Sequence, residues 1–379
     1  MGCFVLTDEQ LGFKEMAHDF AVKEIRPIIK EWDQIGDTPL ELYKKAAELG
    51  FTGIGWPEEL GGMNLSKITQ NVILEEIAWG DAGFWDALIG STLSSNPILL
   101  AGTEKQKKYA AEIVIGGGMA GFALTEPNAG SDVASITTSA VKKSDEYIIN
   151  GAKCFITNGP HAQYYVVFAK TDKSQGVKGI SAFLVERDRE GVSVGKHEDK
   201  MGIRLATASD VVFQDVRIPA ENLLGKEGQG FKIAMQTLDI GRIDCAIGAI
   251  GICQSALDYS VEYAKARVTF GKPIAKFQAI QFMLADMEVR TQAARSLAYQ
   301  AAELFDAGKT DPKVCACAKL FASEVAVKNA LDAVQIYSGY GYSREYPVEK
   351  LVRDAKIFEI FEGTSEIQRI VISGNILRY

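Results

Sequence analysis

One carboxylate near the C-terminus has neighbours suited to proton transfer. Glu362 lies in residues 361–366 (FEGTSE), between an aromatic residue and a glycine turn. An apolar setting disfavours the charged form of a carboxyl group and therefore raises its pKa. A carboxylate whose pKa is raised is a suitable general base near neutral pH. The alternative is an ordinary solvated glutamate in a turn.

Two further segments combine hydroxyl groups with turn-forming residues. Residues 122–132 (FALTEPNAGSD) form a polar loop that could present backbone N–H groups to a ligand. In residues 154–159 (CFITNG), Phe155 and Thr157 share one face of a strand end, because side chains alternate along a strand. The alternatives are an ordinary interdomain loop and a core phenylalanine beside a turn.

Two segments in the C-terminal third have features of a phosphate or nucleotide contact. Residues 267–273 (RVTFGKP) form a basic turn between two predicted long helices, where a phosphate could bind. Residues 335–342 (QIYSGYGY) place two glycines after a helix, which permits close approach of the backbone. A polar connection between helices and a routine glycine helix stop are the respective alternatives.

The elements that must position these residues follow a helical, strand-rich, helical order. Thr7 and Gln10 form a capping box that opens a helix, which Pro27 interrupts or bends. Further helices are predicted around 41–49, 67–79 and 105–113, with Gly61-Gly62 and Pro97 as breaks between them. We predict an N-terminal helical domain over residues 1–118.

The middle of the chain changes period. Strands rich in β-branched and aromatic residues are predicted at 147–149, 164–169, 180–185 and 210–218, and Asn150-Gly151 is a hairpin-type turn signal. Strands at short intervals without intervening helices favour a small antiparallel barrel or sheet over residues 119–225. Helical spacing then returns in a predicted four-helix bundle over 226–379, with helices at 231–261, 278–305, 312–337 and 347–358.

Composition narrows the class of protein. The chain has 379 residues, 47% of them hydrophobic, with a net charge of −8, so it has no general attraction to nucleic acid or anionic membranes. No uninterrupted apolar run reaches the ~18 residues of a membrane span. Six cysteines without a C-x-x-C pair indicate reduced thiols and a cytoplasmic location, and three histidines give no support for a metal site. Rossmann, Walker A and G-x-S-x-G motifs are absent from the sequence.

Together and in this order, the segments resemble the acyl-CoA dehydrogenase family over nearly the whole chain. Within it, residues 230–239 (GFKIAMQTLD) and 362–369 (EGTSEIQR) look most like the short-chain or butyryl-CoA dehydrogenase branch. The resemblance implies FAD-dependent α,β-dehydrogenation of a short acyl-CoA to the 2-enoyl-CoA, with electrons passed to an electron-transferring flavoprotein. An acyl-CoA oxidase and a non-catalytic flavoprotein of the same fold are the alternatives. Oxidases usually carry extra C-terminal helices, so the end of this sequence at Tyr379 favours a dehydrogenase.

The resemblance also implies residue roles. Glu362 is the expected base, because the family's other location for the base is occupied here by Gly241. Expected substrate contacts are Ser131, Leu238, Asp239, Arg242 and Gly363. Expected FAD contacts are Phe122, Leu124, Thr125, Ser131, Phe155, Thr157, Thr364, Glu366, Gln335 and Gly339, together with Arg267, Phe270 and Gln278, which reach the FAD of a neighbouring subunit. The resemblance therefore implies a homotetramer.

One departure from the family pattern bears on the acyl group. Residues 83–90 (GFWDALIG) correspond by resemblance to the helix that lines the acyl end, where Trp85 and Asp86 replace apolar or small polar residues. If Asp86 points inward, it would bond a polar group or take a second proton, which favours a cyclic or functionalised acyl-CoA. The alternative is that Trp85 packs and Asp86 faces water or caps a helix.

Overall fold

Among the residues that the structure describes, the N-terminal part of the chain forms six α-helices, together with short π- and 3₁₀-helical turns. The structure, a computed structural model, describes residues 5–377, and Cys3 lies outside them. As predicted, Thr7 and Gln10 form a capping box at the start of the first helix, and a π-turn and a 3₁₀ turn around Pro27 lead into the second. The helices are α1 (Asp8–Phe20), α2 (Ile29–Ile35), α3 (Leu40–Glu48), α4 (Lys67–Gly80), α5 (Ala82–Ala101) and α6 (Glu104–Ile115).

Pro97 does not separate helices as predicted, because α5 continues through it. Proline removes one helical hydrogen bond and disfavours the preceding helical turn. Most residues of α5 are buried, Pro97 among them, so tertiary packing outweighs this local cost. A continuous α5 therefore extends past the cavity described below.

The middle of the chain forms one sheet, whose strands are β1 (Met119–Ala123), β2 (Ser139–Lys143), β3 (Glu146–Thr157), β4 (Ala162–Lys170), β5 (Ile180–Glu186), β6 (Val192–His197), β7 (Ala208–Pro219) and β8 (Leu223–Leu224). Their order in the sheet is β6-β7-β3-β2-β4-β5-β8, and β1 pairs with β4. Most neighbours are antiparallel as predicted, but β1 and β2 each run parallel to β4.

Asn150-Gly151 is not the predicted hairpin turn, since both residues lie inside β3. The register between β3 and β7 shifts between Ile149 and Gly151. A β-carbon at Gly151 would lie 2.3 Å from Oγ1 of Thr138, so the strand needs glycine at this close approach. The dipeptide therefore marks a bulge rather than a chain reversal.

The C-terminal helices form the predicted bundle, and an additional helix packs against it. They are α7 (Gly230–Ala266), α8 (Gln278–Asp306), α9 (Pro312–Tyr337), α10 (Val348–Phe358) and α11 (Ser365–Leu377), with the short strands β9 (Val268–Thr269) and β10 (Lys272–Pro273) between α7 and α8. Helix α7 packs against α4, α5, α8, α9 and α10 and joins this part of the fold to the N-terminal helices. The predicted domain boundaries at residues 118 and 225 stay a prediction.

Helix α7 is long and apolar enough to meet the length and composition criteria for a membrane span. The sequence did not predict a span here, because the apolar residues of this helix do not form an uninterrupted run. Its most apolar 18-residue window is 89% buried inside the fold. A core helix surrounded by other helices has the same composition as a membrane span. Its apolar character is therefore explained by its place in the protein core.

Candidate active site

A cavity of about 700 Å³ lies where α5, the sheet, α7 and the turn between α10 and α11 meet. Its size suits a ligand of several hundred daltons. It brings together residues that are far apart in the sequence. The predicted site residues that line it are Asp86, Phe122, Leu124, Thr125, Ser131, Phe155, Thr157, Leu238, Arg242, Glu362, Gly363 and Thr364.

Glu362 points its carboxyl group into this cavity from the turn that follows α10. The residue as a whole is partly exposed, but its Oε2 atom is buried and has no hydrogen-bond partner within residues 5–377. Burial raises the pKa of Glu362 to about 7, and the cations Lys319 and Arg242 oppose the rise. Its φ of +54° is unusual for a residue with a side chain, so the surrounding contacts must hold this backbone conformation.

Gly241 on α7 leaves room for this carboxyl group. A β-carbon at position 241 would lie 2.7 Å from Oε2 of Glu362, which is closer than van der Waals contact. The glycine at this position thus leaves free the space that the Glu362 carboxyl group occupies. Glycine at 241 and glutamate at 362 are sterically complementary.

The loop after β1 is fixed by a buried ion pair between Lys153 and Glu126. Nζ of Lys153 donates hydrogen bonds to the carbonyl oxygen of Leu124 at 2.9 Å and to Oε1 of Glu126 at 2.8 Å. Burial raises the pKa of Glu126, but Lys153 and hydrogen bonds from Thr137 and Thr138 outweigh it and lower the pKa to about 2. The chain on either side of Thr125 is therefore held in place by hydrogen bonds from a buried side chain that does not itself line the cavity.

Phe155 offers an aromatic surface at the cavity. Its side chain is 64% exposed, whereas large aromatic residues in this part of the sheet are mostly buried. Thr157 lies two residues further along β3 and also lines the cavity. An exposed ring beside a hydroxyl group suits a planar ligand that stacks and accepts or donates hydrogen bonds.

Asp86 is buried, with 6% of its surface exposed, and lines the same cavity. Burial raises its pKa to about 6, while the Lys200 ammonium group and a hydrogen bond with Thr157 limit the rise. Trp85 is also buried and packs against Phe358, with ring centroids 5.4 Å apart. The structure thus favours the inward position of Asp86 over a water-facing one.

Comparison with known proteins is in agreement with these features. Family models described as the N-terminal, middle and C-terminal domains of acyl-CoA dehydrogenase match residues 7–117, 121–216 and 228–377. The chain belongs to the acyl-CoA dehydrogenase family. Because the three models cover most of the sequence, the family membership applies to the whole helical, β and helical arrangement.

Individual acyl-CoA dehydrogenase relatives are similar over their full length. The short-chain-specific acyl-CoA dehydrogenase of Megasphaera elsdenii is 48% identical over 99% of this chain and 100% of its own. The caffeyl-CoA reductase-Etf complex subunit CarC of Acetobacterium woodii is 45% identical over 98% and 99%, respectively. The solved butyryl-CoA dehydrogenase of M. elsdenii has a TM-score of 0.97 and 47% identity, with both chains fully covered.

Seven residues predicted from the acyl-CoA dehydrogenase resemblance do not line the cavity. Asp239 lies beside it and pairs with Arg242 at 2.6 Å, and Glu366 is exposed at the start of α11. The others lie near the ends of α7, α8 and α9, where the Arg267 guanidinium stacks on Tyr340 and Phe270 is 93% exposed. These outlying residues are Arg267, Phe270, Gln278, Gln335 and Gly339.

Sequence reasoning missed the buried polar residues that support this acyl-CoA dehydrogenase site. Lys153, Lys319 and Gln368 are fully buried, and each donates at least one hydrogen bond to a backbone carbonyl of a cavity-lining segment. Lys319 follows the small apolar run 315–318 (CACA) on α9. A charged residue on the apolar face of a helix was the available signal, because such a residue is rarely buried without a partner.

Proposed function

We propose that the protein is an FAD-dependent dehydrogenase that oxidises the Cα–Cβ bond of a short acyl-CoA thioester, with Glu362 as the base. The observation that carries this proposal is the Glu362 carboxyl group, which is enclosed in a cavity and has a pKa raised to about 7. A base with a pKa near ambient pH is ionised often enough to act and basic enough to accept a proton. Membership of the acyl-CoA dehydrogenase family supports the same chemistry.

The residues around the cavity fit a flavin. Members of this family are flavoproteins, and FAD is the form proposed here. Phe155 would pack beside the ring system, and Thr157 and the loop with Thr125 and Ser131 would supply polar contacts. The exposed ring of Phe155 supports this proposal, because a stacked cofactor would cover it. The chemistry that FAD supplies when bound is acceptance of the hydride from Cβ.

Glu362 would contribute through two of its groups. Its carboxylate would take the proton from Cα of the thioester, which leaves negative charge on the thioester oxygen. Its backbone N–H has no hydrogen-bond partner among the described residues, so it is free to donate to that oxygen. A fixed N–H donor at a site of developing charge lowers the barrier because it needs no reorganisation.

The remaining predicted substrate contacts lie along the rest of the thioester. Arg242 and Asp239 would contact the CoA part, with Leu238 and Gly363 beside the thioester group.

The acyl end of the cavity favours a compact ring-bearing or functionalised acyl group. Asp86 and Lys200 bring two ionisable groups, next to the Thr157 hydroxyl, to a region that also contains apolar side chains such as Trp85 and Ile89. A buried carboxyl group without a full partner is costly unless it is protonated or used by a ligand. Asp86 would bond a polar group of the acyl chain or accept a second proton from it.

The electron acceptor is proposed to be an electron-transferring flavoprotein. The relative in A. woodii is named as a subunit of a complex with Etf, which supports such a partner for this chain.

The five cysteines within the described residues are free thiols, which suits the proposed cytoplasmic location.

A homotetramer would give the outlying residues a role. Arg267, Phe270 and Gln278 lie outside the cavity of their own chain, so they would complete the FAD site of a neighbour. Apolar side chains that are exposed on α8 and α11 support an assembly through these helices: Phe282, Val289, Ile370 and Ile376.

Turnover with an artificial electron-accepting dye, across a panel of acyl-CoA thioesters, tests the proposed function. The purified protein should be yellow, contain one FAD per chain and sediment as a tetramer. It should reduce the dye with at least one short, cyclic or functionalised acyl-CoA. A colourless protein that cannot be reconstituted with FAD would contradict the proposal, and direct hydrogen peroxide formation without dye would indicate an oxidase. An FAD-replete monomer would contradict the tetramer.

A further inference from the structure

The turn that carries Glu362 is held by two buried side chains that do not line the cavity. Nζ of Lys319, on α9, donates a hydrogen bond to the carbonyl oxygen of Gly363 at 2.6 Å. Nε2 of Gln368, on α11, donates to the carbonyl oxygens of Glu362 and Gly363 at 3.0 and 2.9 Å. Both side chains are fully buried. These hydrogen bonds fix both carbonyl groups, in a turn where Glu362 and Gly363 both have positive φ.

Lys319 also places a positive charge near the buried carboxyl group of Glu362. Its ammonium group interacts electrostatically with Glu362 and lowers the pKa of that carboxyl group, against the larger effect of burial. Burial in turn lowers the pKa of Lys319. A fully buried ammonium group requires hydrogen bonds and nearby negative charge to remain ionised, and the Gly363 carbonyl and Glu362 supply both.

Other charged groups act on the same carboxyl group. Those that face Glu362 are Arg242 and Asp244 on α7, Asp86 on α5 and Lys319 on α9. Lys319 is in addition close to Cys245 on α7 and Glu359 at the end of α10. Of the two cations near Glu362, Arg242 already pairs with Asp239, whereas the Gly363 carbonyl is the one hydrogen-bond partner of the Lys319 side chain within residues 5–377.

We infer that Lys319 is a positioning residue for the base: with Gln368 it fixes the turn at Glu362–Gly363, and its charge favours the ionised form of Glu362. The inference rests on the proposed function, since it concerns the group that takes the proton. A residue that only stabilised the fold would have no effect on the ionisation of Glu362. The titration of this one carboxyl group therefore separates positioning from general stability.

Three variants separate the effect of the hydrogen bonds to the turn from the effect of the Lys319 charge. Lys319→Gln keeps a hydrogen-bond donor and removes the charge, whereas Lys319→Met removes both. Gln368→Leu removes hydrogen bonds from the same turn and leaves the charge in place. The pKa of Glu362 is measured by NMR on purified holoenzyme labelled with ¹³C at the glutamate side-chain carboxyl carbon, with Glu362→Gln to assign the signal. The measurement does not depend on turnover.

Both Lys319 variants should raise the pKa of Glu362, by about one unit, because a nearby opposite charge favours the ionised form. Gln368→Leu should leave this pKa nearly unchanged but lower kcat at high pH by about tenfold or more, since small displacements of a base are costly. Lys319→Met should show both effects. An unchanged pKa in a folded Lys319 variant overturns the inference.

The experiment remains decisive if the Lys319 variants do not fold. In that case, a Gln368→Leu enzyme with wild-type kcat over the whole pH range overturns the role of the turn contacts. Failure of the proposed function is recognised separately, because wild-type holoenzyme would then turn over no acyl-CoA while the Glu362 titration would still be measured.

Discussion

A β-carbon at Gly241 would lie 2.7 Å from Oε2 of Glu362, so the base occupies space that the absent side chain leaves free. We expect Gly241→Ala to displace the carboxyl group and to reduce kcat/KM by about tenfold or more, because catalysis is sensitive to shifts of 1 Å. Stability should change by less than about 1 kcal/mol, since alanine favours the helix and the overlap is with a flexible side-chain end. Steady-state kinetics and urea unfolding measure the two effects.

Gly12→Ala is the matched control for this substitution. Gly12 lies in α1, and a β-carbon there would have no neighbour within 4 Å. The control should keep wild-type activity. Wild-type kcat/KM in Gly241→Ala as well would show that the fit between residues 241 and 362 has no catalytic consequence.

The pH dependence of kcat/KM should report the ionisation of Glu362. Burial raises the pKa of this group to about 7, and the base acts only when it is deprotonated. Activity should therefore fall as the pH decreases through about 7, with a tenfold loss per pH unit below it. A rate that stays constant down to pH 5 would be inconsistent with a buried carboxyl base.

Asp86 should determine which acyl group is preferred. Its buried carboxyl group lines the cavity at the proposed acyl end and has a pKa raised to about 6 by burial. Wild-type enzyme should prefer a cyclic or polar acyl-CoA over butyryl-CoA, and Asp86→Ala should reverse or remove the preference, which kcat/KM across the panel measures. If butyryl-CoA is the best substrate and the variant keeps the ranking, the enzyme is an ordinary short-chain dehydrogenase.

Lys153→Met should destabilise the protein by about 3 kcal/mol or more, because it leaves the buried Glu126 without its cation. It should also weaken FAD retention, since Lys153 holds the carbonyl of Leu124. Lys105→Met is the control, because the Lys105–Glu221 pair is on the surface, and it should change the free energy of unfolding by less than about 1 kcal/mol. A loss below about 1 kcal/mol in Lys153→Met would show that the ion pair contributes little.

Much of the architecture could be predicted because it depends on local periodicity. The spacing of apolar residues predicted α8 and α9 nearly to their ends, and the capping box at Thr7 predicted the start of α1. Asn150-Gly151 and Pro97 misled the prediction because their local preferences are opposed by tertiary contacts. β3 pairs with β7 before and after the first of these, and α5 is buried around the second.

The buried hydrogen bonds that support the site could not be predicted from the sequence, for a different reason. Lys319 bonds a carbonyl 44 residues away, and Lys153 bonds a carboxylate 27 residues away. Neither separation follows a helical or strand period, so no local pattern connects the partners. Glu362 could be proposed as the base because its neighbours in sequence already indicate a turn. The environment of its carboxyl group, in contrast, depends on residues of α7 and α9.

The substitution Glu362→Gln tests the central claim most directly. Glutamine keeps the size of the side chain and the backbone N–H but cannot accept the proton from Cα, so the loss should appear in the transition state rather than in binding. The account predicts a yellow variant with near-normal FAD content and acyl-CoA affinity, and with dye-linked kcat reduced by at least about a thousandfold. A variant that keeps more than about a tenth of the wild-type kcat, a barrier change of only ~1.4 kcal/mol, would show that Glu362 is not the base.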